Sequence, residues 1–160
     1  MPPRQTAKGK LREISESAPY LYYKDRLATF KGFSFDKEAD ATCTSEKLAR
    51  AGFYCTGVES GKCPFCLKEL EFESQDDPWE EHRTRGADCE FVKLGKLDDK
   101  TWTLADSLSL AIHSITMAKY EQQLSMLKDW QSSLTSDSVA EQITKMIETT
   151  AKKSNSRAAK

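Results

Sequence analysis

The chain has 160 residues, room for one small domain plus an extension. With 38% hydrophobic and 31% charged residues it reads as soluble with a modest core, and no run approaches the roughly 18 apolar residues of a membrane span. Five cysteines, an odd count with no apolar leader before them, point to a reducing compartment, cytosol or nucleus; the net charge of −1 says less than its distribution does.

Residues 1–17, with Arg4, Lys8, Lys10 and Arg12 and almost no apolar period, read as a flexible basic arm that touches nucleic acid weakly at most. A domain is expected over 18–94. The aromatic cluster Tyr20-Leu21-Tyr22-Tyr23 leads into a helix around Lys24–Phe30. Thr44 or Ser45 caps a short helix through Ala51, ended by Gly52. Phe53 to Gly57 reads as a strand running into a turn, Lys62 to Cys66 as a tight knuckle, and Leu67 to Phe72 as the return strand.

The knuckle begins the most informative pattern: Cys63-Pro-Phe-Cys66, fifteen residues, His82, six residues, Cys89. A Cys-x2-Cys pair supplies two ligands of a closed zinc tetrahedron from one turn, and a distant His and Cys complete it. Asp77 as N-cap, Pro78 at the first helical position and Glu80 three residues after the cap start a helix that carries His82. Seven further residues of helix would carry Cys89 about 10 Å along the axis, too far to share one ion. Gly86 is therefore expected to stop the helix in a left-handed conformation. Three thiolates and no open position make this a structural site. A domain of about 70 residues is marginal by burial alone, which is an independent reason for a metal. The bland alternative is a set of buried thiols around a core histidine. Cys43 and Cys55 remain as reduced, partly buried thiols.

Residues 95–150 read as a helical interaction region. Thr103 and Asp106 form a capping box. Leu104, Leu108, Ala111 or Ile112, Ile115 and Ala118 follow at helical spacing, then Tyr120, Leu124, Leu127, Trp130 and Leu134. The pattern predicts a helix over about 103–134, ~48 Å long. So small a domain cannot cover such a stripe, so Leu97, Leu104, Leu108, Ile112, Ile115, Leu124, Leu127 and Trp130 are the candidate interface for partner helices. A helix folded back on its own domain, or a homodimer formed without partners, are the alternatives. A break near Ser133–Ser138 and a second helix over about 138–150 are expected, then a disordered basic tail over 151–160.

Arg26-Leu-Ala-Thr29-Phe30, Leu48-Ala-Arg-Ala-Gly52-Phe53-Tyr54, Cys63-x2-Cys66, Asp76-Asp77-Pro78-Trp79-x-x-His82 and Cys89-x-Phe91 together resemble the BIR domain, the baculoviral inhibitor-of-apoptosis repeat, and its survivin-like branch with one repeat and a long helix. The resemblance covers about Tyr20 to Val92. It implies an α+β fold, a short antiparallel three-stranded sheet with short helices around one structural zinc. Two departures leave the ligands untouched: the Cys66-to-His82 gap is one residue shorter than usual, and Phe33-Ser34 stands where the family often has Trp-Pro.

Glu69, Glu71, Glu73, Asp76, Asp77, Glu80 and Glu81 crowd the metal pattern, a charge density suited to a cationic peptide and above all to a free N-terminal amine. By resemblance, Glu71 and Asp76 match the acids that hold the amine, Leu70 and Phe72 the wall of the methyl pocket, Lys68 the phosphate-contacting lysine, and Glu81 meets a peptide arginine. Arg85 falls where the branch has a histidine, and its guanidinium fork suits phosphate at any physiological pH. The implied ligand is a histone tail beginning Ala-Arg-phosphothreonine. The implied partners of the helix are inner centromere protein and a borealin-like subunit, in a non-enzymatic passenger complex that brings an Aurora-type kinase to centromeres and the spindle midzone, with nuclear and cytoplasmic pools. The Tyr20–Tyr23 cluster is a candidate second strip of that interface. The rival within the family is caspase inhibition through Ala-starting peptides, but no second Cys/His cluster that could form a RING finger is present in the sequence. A zinc hydrolase would need an open metal position and a poised base, and His113 has no motif around it.

Overall fold

The computed structural model describes residues 16–135, 141 and 143–148. The chain divides into two compact units, residues up to Lys119 and residues from Tyr120. The predicted basic arm lies outside the described residues except for Glu16 and Ser17, which are helical, and the basic tail lies outside them.

In the first unit, helix α1 (Tyr23–Leu27) is followed by a 3-10 turn (Ser34–Lys37) and helix α2 (Ser45–Arg50). Thr44 caps α2, its hydroxyl accepting from Lys47 N at 3.3 Å. Gly52 ends the segment at φ +97°, and a Cβ there would lie 2.8 Å from the Phe91 ring. The sheet has order β1-β2-β3 and is antiparallel throughout: β1 (Tyr54–Cys55), β2 (Ser60–Lys62) and β3 (Glu69–Glu71), with Tyr54 opposite Lys62 and Ser60 opposite Glu71. The return strand is shorter than expected because Leu67, at φ 60°, still belongs to the knuckle. Strand β2 lies between that turn and the knuckle, where the residues alone predict no element, and supplies the third strand that the resemblance implies.

Helix α3 (Pro78–Arg85) starts as expected, with the Asp77 carboxylate accepting from Trp79 N at 2.9 Å and Glu80 N at 3.2 Å. Glu80 does not return to the cap; its carboxylate takes Arg83 at 2.6 Å. Gly86 ends α3, but not by a left-handed turn: its φ is −120° and its ψ 38°. Glycine is needed there for space. A Cβ would stand 2.8 Å from His82 O and 2.9 Å from His82 Cδ2. A short helix α4 (Glu90–Leu94), unforeseen, carries Phe91 inward and closes on Gly95 at φ +65°.

Helix α5 (Leu104–Thr135) begins on a reciprocal capping box. Thr103 N donates to the Asp106 carboxylate at 2.8 Å, Asp106 N to Thr103 Oγ1 at 3.2 Å, and Lys96 Nζ adds an ion pair at 2.6 Å. Its first turns dock on the domain: Leu110, Ala111 and Ser114 are buried and Ile115 packs half-buried against the core. The core is mainly aromatic, with Phe30, Phe33 and Phe35 in edge contacts and Phe65 stacked on Phe91 at 5.2 Å. The Tyr20–Tyr23 cluster is tied into this unit as well. Tyr20 stacks on Tyr54 at 4.1 Å, Leu21 is buried, Tyr22 meets Trp102 and Tyr23 carries the Arg50 guanidinium over its ring.

From Tyr120 onward the second unit is helix to Thr135, then helix again at 141 and 143–148. Tyr120, Leu124, Met126, Leu127 and Trp130 are exposed, as are Ile143, Met146 and Ile147. The expected break falls on residues that are helical as far as Thr135 and beyond it lies outside the described residues.

Candidate metal centre and peptide groove

The knuckle is built by two backbone bonds, Cys63 N to Lys68 O and Leu67 N to Cys63 O, each at 2.9 Å, and by Phe65 N donating to Cys63 Sγ at 3.4 Å. They force Leu67 into the left-handed region, a strain of about 1 kcal/mol for a residue with a side chain. Helix α3 brings His82 against this turn, and the Gly86 approach lets the chain double back so that Cys89 arrives from the other side. The four ligand atoms of Cys63, Cys66, His82 and Cys89 lie within 4.8 Å of one another.

Zinc bonds of 2.3 Å to sulfur and 2.05 Å to nitrogen give tetrahedral edges of about 3.8 Å between sulfurs and about 3.6 Å between sulfur and nitrogen. Cys63 Sγ and Cys89 Sγ are 3.8 Å apart, and Cys66 Sγ and His82 Nε2 are 3.6 Å apart. His82 Nδ1 donates to Ala51 O at 2.6 Å, which fixes the tautomer and turns the Nε2 lone pair toward the sulfurs. Soft thiolates with one imidazole in a closed set suit zinc held for structure. These residues can therefore hold one zinc ion.

Electrostatics agree. Burial works to lower His82, yet the Cys66 and Cys89 sulfurs raise its imidazole to about 9. Burial pushes the Cys63 thiol well above its usual range, while hydrogen bonds from Cys63 and Cys89 hold Cys66 far below it. The cluster stabilises positive charge at its centre, and a divalent cation is the natural occupant. Arg26, fully buried, lies behind it. Its Nε donates to Ala49 O at 2.9 Å, its Nη1 to Leu21 O at 2.6 Å, and its guanidinium sits over Phe91 at 5.4 Å. Burial draws that guanidinium down to about 10 against the pull of the Cys63 sulfur. Three thiolates with one zinc leave a buried negative charge, which Arg26 offsets. Sequence reasoning quoted Arg26 without a role; a charged residue heading an apolar segment was the available signal. Cys43 is buried with its thiol pushed up to about 12 by burial, and the Cys55 thiol donates to Gly57 O at 3.1 Å; neither is among the four clustered ligands.

Strand β3 is an edge strand, and along it runs an open groove of about 950 Å³. The structure gathers Leu70, Glu71, Phe72 and Arg85 on its walls and adds Glu59 and Glu73. Phe72 is nearly buried and packs on Phe53, so it contributes only at the rim. Asp76 does not line this groove; its carboxylate accepts from Glu73 N at 2.8 Å. Glu81 is paired with Arg85 Nε at 2.8 Å. Lys68 lines a second cavity of about 410 Å³ together with Arg85, His113 and Met117. Glu59 and His113 were missed. Only the β1–β2 turn and the docking of α5 bring them here, and neither leaves a local sequence signal.

Of the helix candidates, Leu104, Leu108 and Ile112 are exposed in the first unit, Ile115 sits at the seam with the core, and Leu97 is half-buried. Leu124, Leu127 and Trp130 are exposed in the second. No helix among the described residues is long and apolar enough to cross a membrane.

Comparison with known proteins agrees with this geometry. Residues 26–93 match the BIR model, the Inhibitor of Apoptosis domain. The chain is 46% identical over 150 residues to the Caenorhabditis elegans "Chromosomal passenger complex protein bir-1", covering 93% of this chain and 97% of that one. It is 47% identical over 123 residues to the Caenorhabditis elegans "Baculoviral IAP repeat-containing protein bir-2", spanning 74% of this chain but 40% of that protein. With the Xenopus tropicalis "Baculoviral IAP repeat-containing protein 5.1" it shares 46% over 79 residues, 46% of this chain and 48% of the other. A matched zinc domain and near end-to-end similarity to one relative place this chain in the BIR, or Inhibitor of Apoptosis domain, family.

Proposed function

We propose that this protein is a non-enzymatic subunit of a chromosomal passenger complex, with a peptide-reading domain over 18–94 and a helical assembly region over 95–150 flanked by a basic arm and tail. The observation that carries the reading is the acid-lined groove on the free edge of β3. An extended peptide can add there as a fourth strand, with main-chain hydrogen bonds giving affinity and carboxylates capturing a free amine. Glu71 holds that amine, Leu70 and the rim of Phe72 bound a pocket for an alanine methyl, and Lys68 with Arg85 receives a phosphate two residues on. The ligand is the N-terminal histone tail beginning Ala-Arg-phosphothreonine.

Glu81 meets the peptide arginine by exchanging its present partner, Arg85. Exposed ion pairs of this kind are worth about 0–1 kcal/mol, so the exchange is cheap and releases Arg85 toward the phosphate. The exposed residues of α5 serve inner centromere protein and a borealin-like subunit, through which an Aurora-type kinase is placed at centromeres and the spindle midzone. Near end-to-end similarity to a protein named for the passenger complex supports this assembly role.

Titration of the zinc-loaded full chain with the tail peptide, its phosphothreonine form and its N-acetylated form tests the reading. Acetylation is expected to abolish binding and phosphorylation to tighten it. Equal affinities for the phosphorylated and plain peptides overturn it, and preference for plain Ala-starting peptides favours apoptosis inhibition instead.

A further inference from the structure

The 410 Å³ cavity beside the knuckle has two walls of different origin. Lys68 and Arg85 stand on the domain side and His113 and Met117 on helix α5. Arg85 borders both this cavity and the peptide groove. A ligand lying along β3 therefore reaches the cavity by passing Arg85. With Glu81 holding only the Arg85 Nε, both terminal nitrogens of the guanidinium remain to donate. Lys68, Arg85 and His113 thus line one hollow from the knuckle, helix α3 and helix α5, together with Thr84. Among the described residues Asp88 is the only carboxylate on the walls, and Glu90, beside Cys89, is already held by Lys93 at 3.0 Å. Phe65 and Met117 supply an apolar side. Cationic donors facing an apolar patch suit a phosphate ester whose carrier brings a methyl group, as phosphothreonine does, better than a free inorganic anion.

We propose that His113, contributed by the assembly helix, is a third anion-contacting residue where Lys68 and Arg85 receive the phosphothreonine, and a determinant of specificity for the modified tail. The inference rests on the peptide-reading function proposed above. It makes α5 part of the reader as well as the scaffold.

The test compares the zinc-loaded full chain with His113→Gln and with Arg85→Gln. Each is titrated with the plain tail peptide, the phosphothreonine peptide and inorganic phosphate, and melting temperature is followed for each protein. Glutamine roughly keeps the volume of histidine but not the placement of the imidazole N–H, and at Arg85 it removes the guanidinium fork. His113→Gln is expected to cut the preference for the phosphorylated peptide roughly fivefold, from loss of one charge-assisted contact at a half-exposed site, with plain-peptide affinity and melting temperature unchanged. Inorganic phosphate is expected to bind far more weakly than the phosphopeptide. An unchanged preference in His113→Gln alongside a loss in Arg85→Gln overturns the role of His113 and leaves the peptide reading intact. Absence of any phosphate preference in the unsubstituted chain overturns both.

Discussion

The residues up to Lys119 and those from Tyr120 onward obey different physics. In the first unit side chains converge, with Phe53, Phe65, Phe91, Leu48 and Arg26 buried together with a Cys3His cluster. In the second, nearly every described side chain faces solvent, including Leu127 and Trp130 at 57% and 62% exposure. The first unit carries its own reasons to fold. The second is helix whose described apolar residues are largely exposed, and helices of its length owe most of their stability to packing. The first is a closed object and the second an open apolar face.

The largest break in this comparison comes from the metal. Structural zinc in small modules contributes on the order of 10 kcal/mol of folding free energy, more than a domain of this size can lose. Chelation, or Cys89→Ser, is expected to collapse the first unit, seen as loss of near-UV circular dichroism, dispersed amide signals and peptide binding. Acid does the same, since protons compete for the thiolates. A chelated protein that kept its melting transition would remove the central claim.

Next is Gly86. Its Cβ would press on His82 O and Cδ2 at 2.8 and 2.9 Å, neither of which can retreat without moving a metal ligand. Gly86→Ala is expected to destabilise by about 3 kcal/mol, at the upper end of overpacking effects, and to weaken zinc binding measurably in a competition assay. Gly32→Ala is the control. Gly32 has φ +73° but open space around it, so only about 1 kcal/mol of backbone strain is expected and zinc affinity should not move. Equal effects at the two positions would show that conformation rather than crowding governs Gly86.

The same contrast can be drawn on one helix. Leu110→Ala removes a buried side chain and should cost about 3 kcal/mol in denaturant unfolding, whereas Leu127→Ala, exposed, should stay within about 0.5 kcal/mol. In copurification with helical subunits the order should reverse. A large stability loss from Leu127→Ala in the isolated chain would mean that a second copy already covers it.

These pairs also show what was legible in the residues and what was not. Zinc ligands and the Asp77-Pro78 cap are local devices, in which spacing alone carries the geometry, and each stands where its spacing put it. Gly86 was recognised as a breaker but assigned the wrong freedom, because a sequence shows that a side chain is absent and not whether torsion or volume demanded it. Strand β2 and helix α4 have three and five residues and too little periodicity to register. Leu110 escaped because α5 has apolar residues in two sectors, and only the docked domain decides which one is buried. Glu59 and His113 depend on tertiary placement entirely. For the groove, membership was not readable residue by residue: Asp76 and Lys68 stand off its walls.

The smallest expected effect has the opposite sign. Ser34 opens the 3-10 turn beside the Phe30-Phe33-Phe35 cluster, and its Oγ is buried without a hydrogen-bond partner among the described residues. A buried unsatisfied hydroxyl costs about 1–3 kcal/mol, and removing it without leaving a void recovers part of that. Ser34→Ala should therefore stabilise by roughly 1 kcal/mol, read as a higher urea midpoint at unchanged slope. Ser34→Pro should do at least as well. Phe33 already holds φ −54° and ψ 133°, the extended conformation that a residue before proline prefers, and the first position of a helical turn tolerates the missing N–H. A lower midpoint for both variants would mean that the hydroxyl is satisfied by a buried water, and that the Phe-Ser pair in place of Trp-Pro is a repacked corner rather than a strained one.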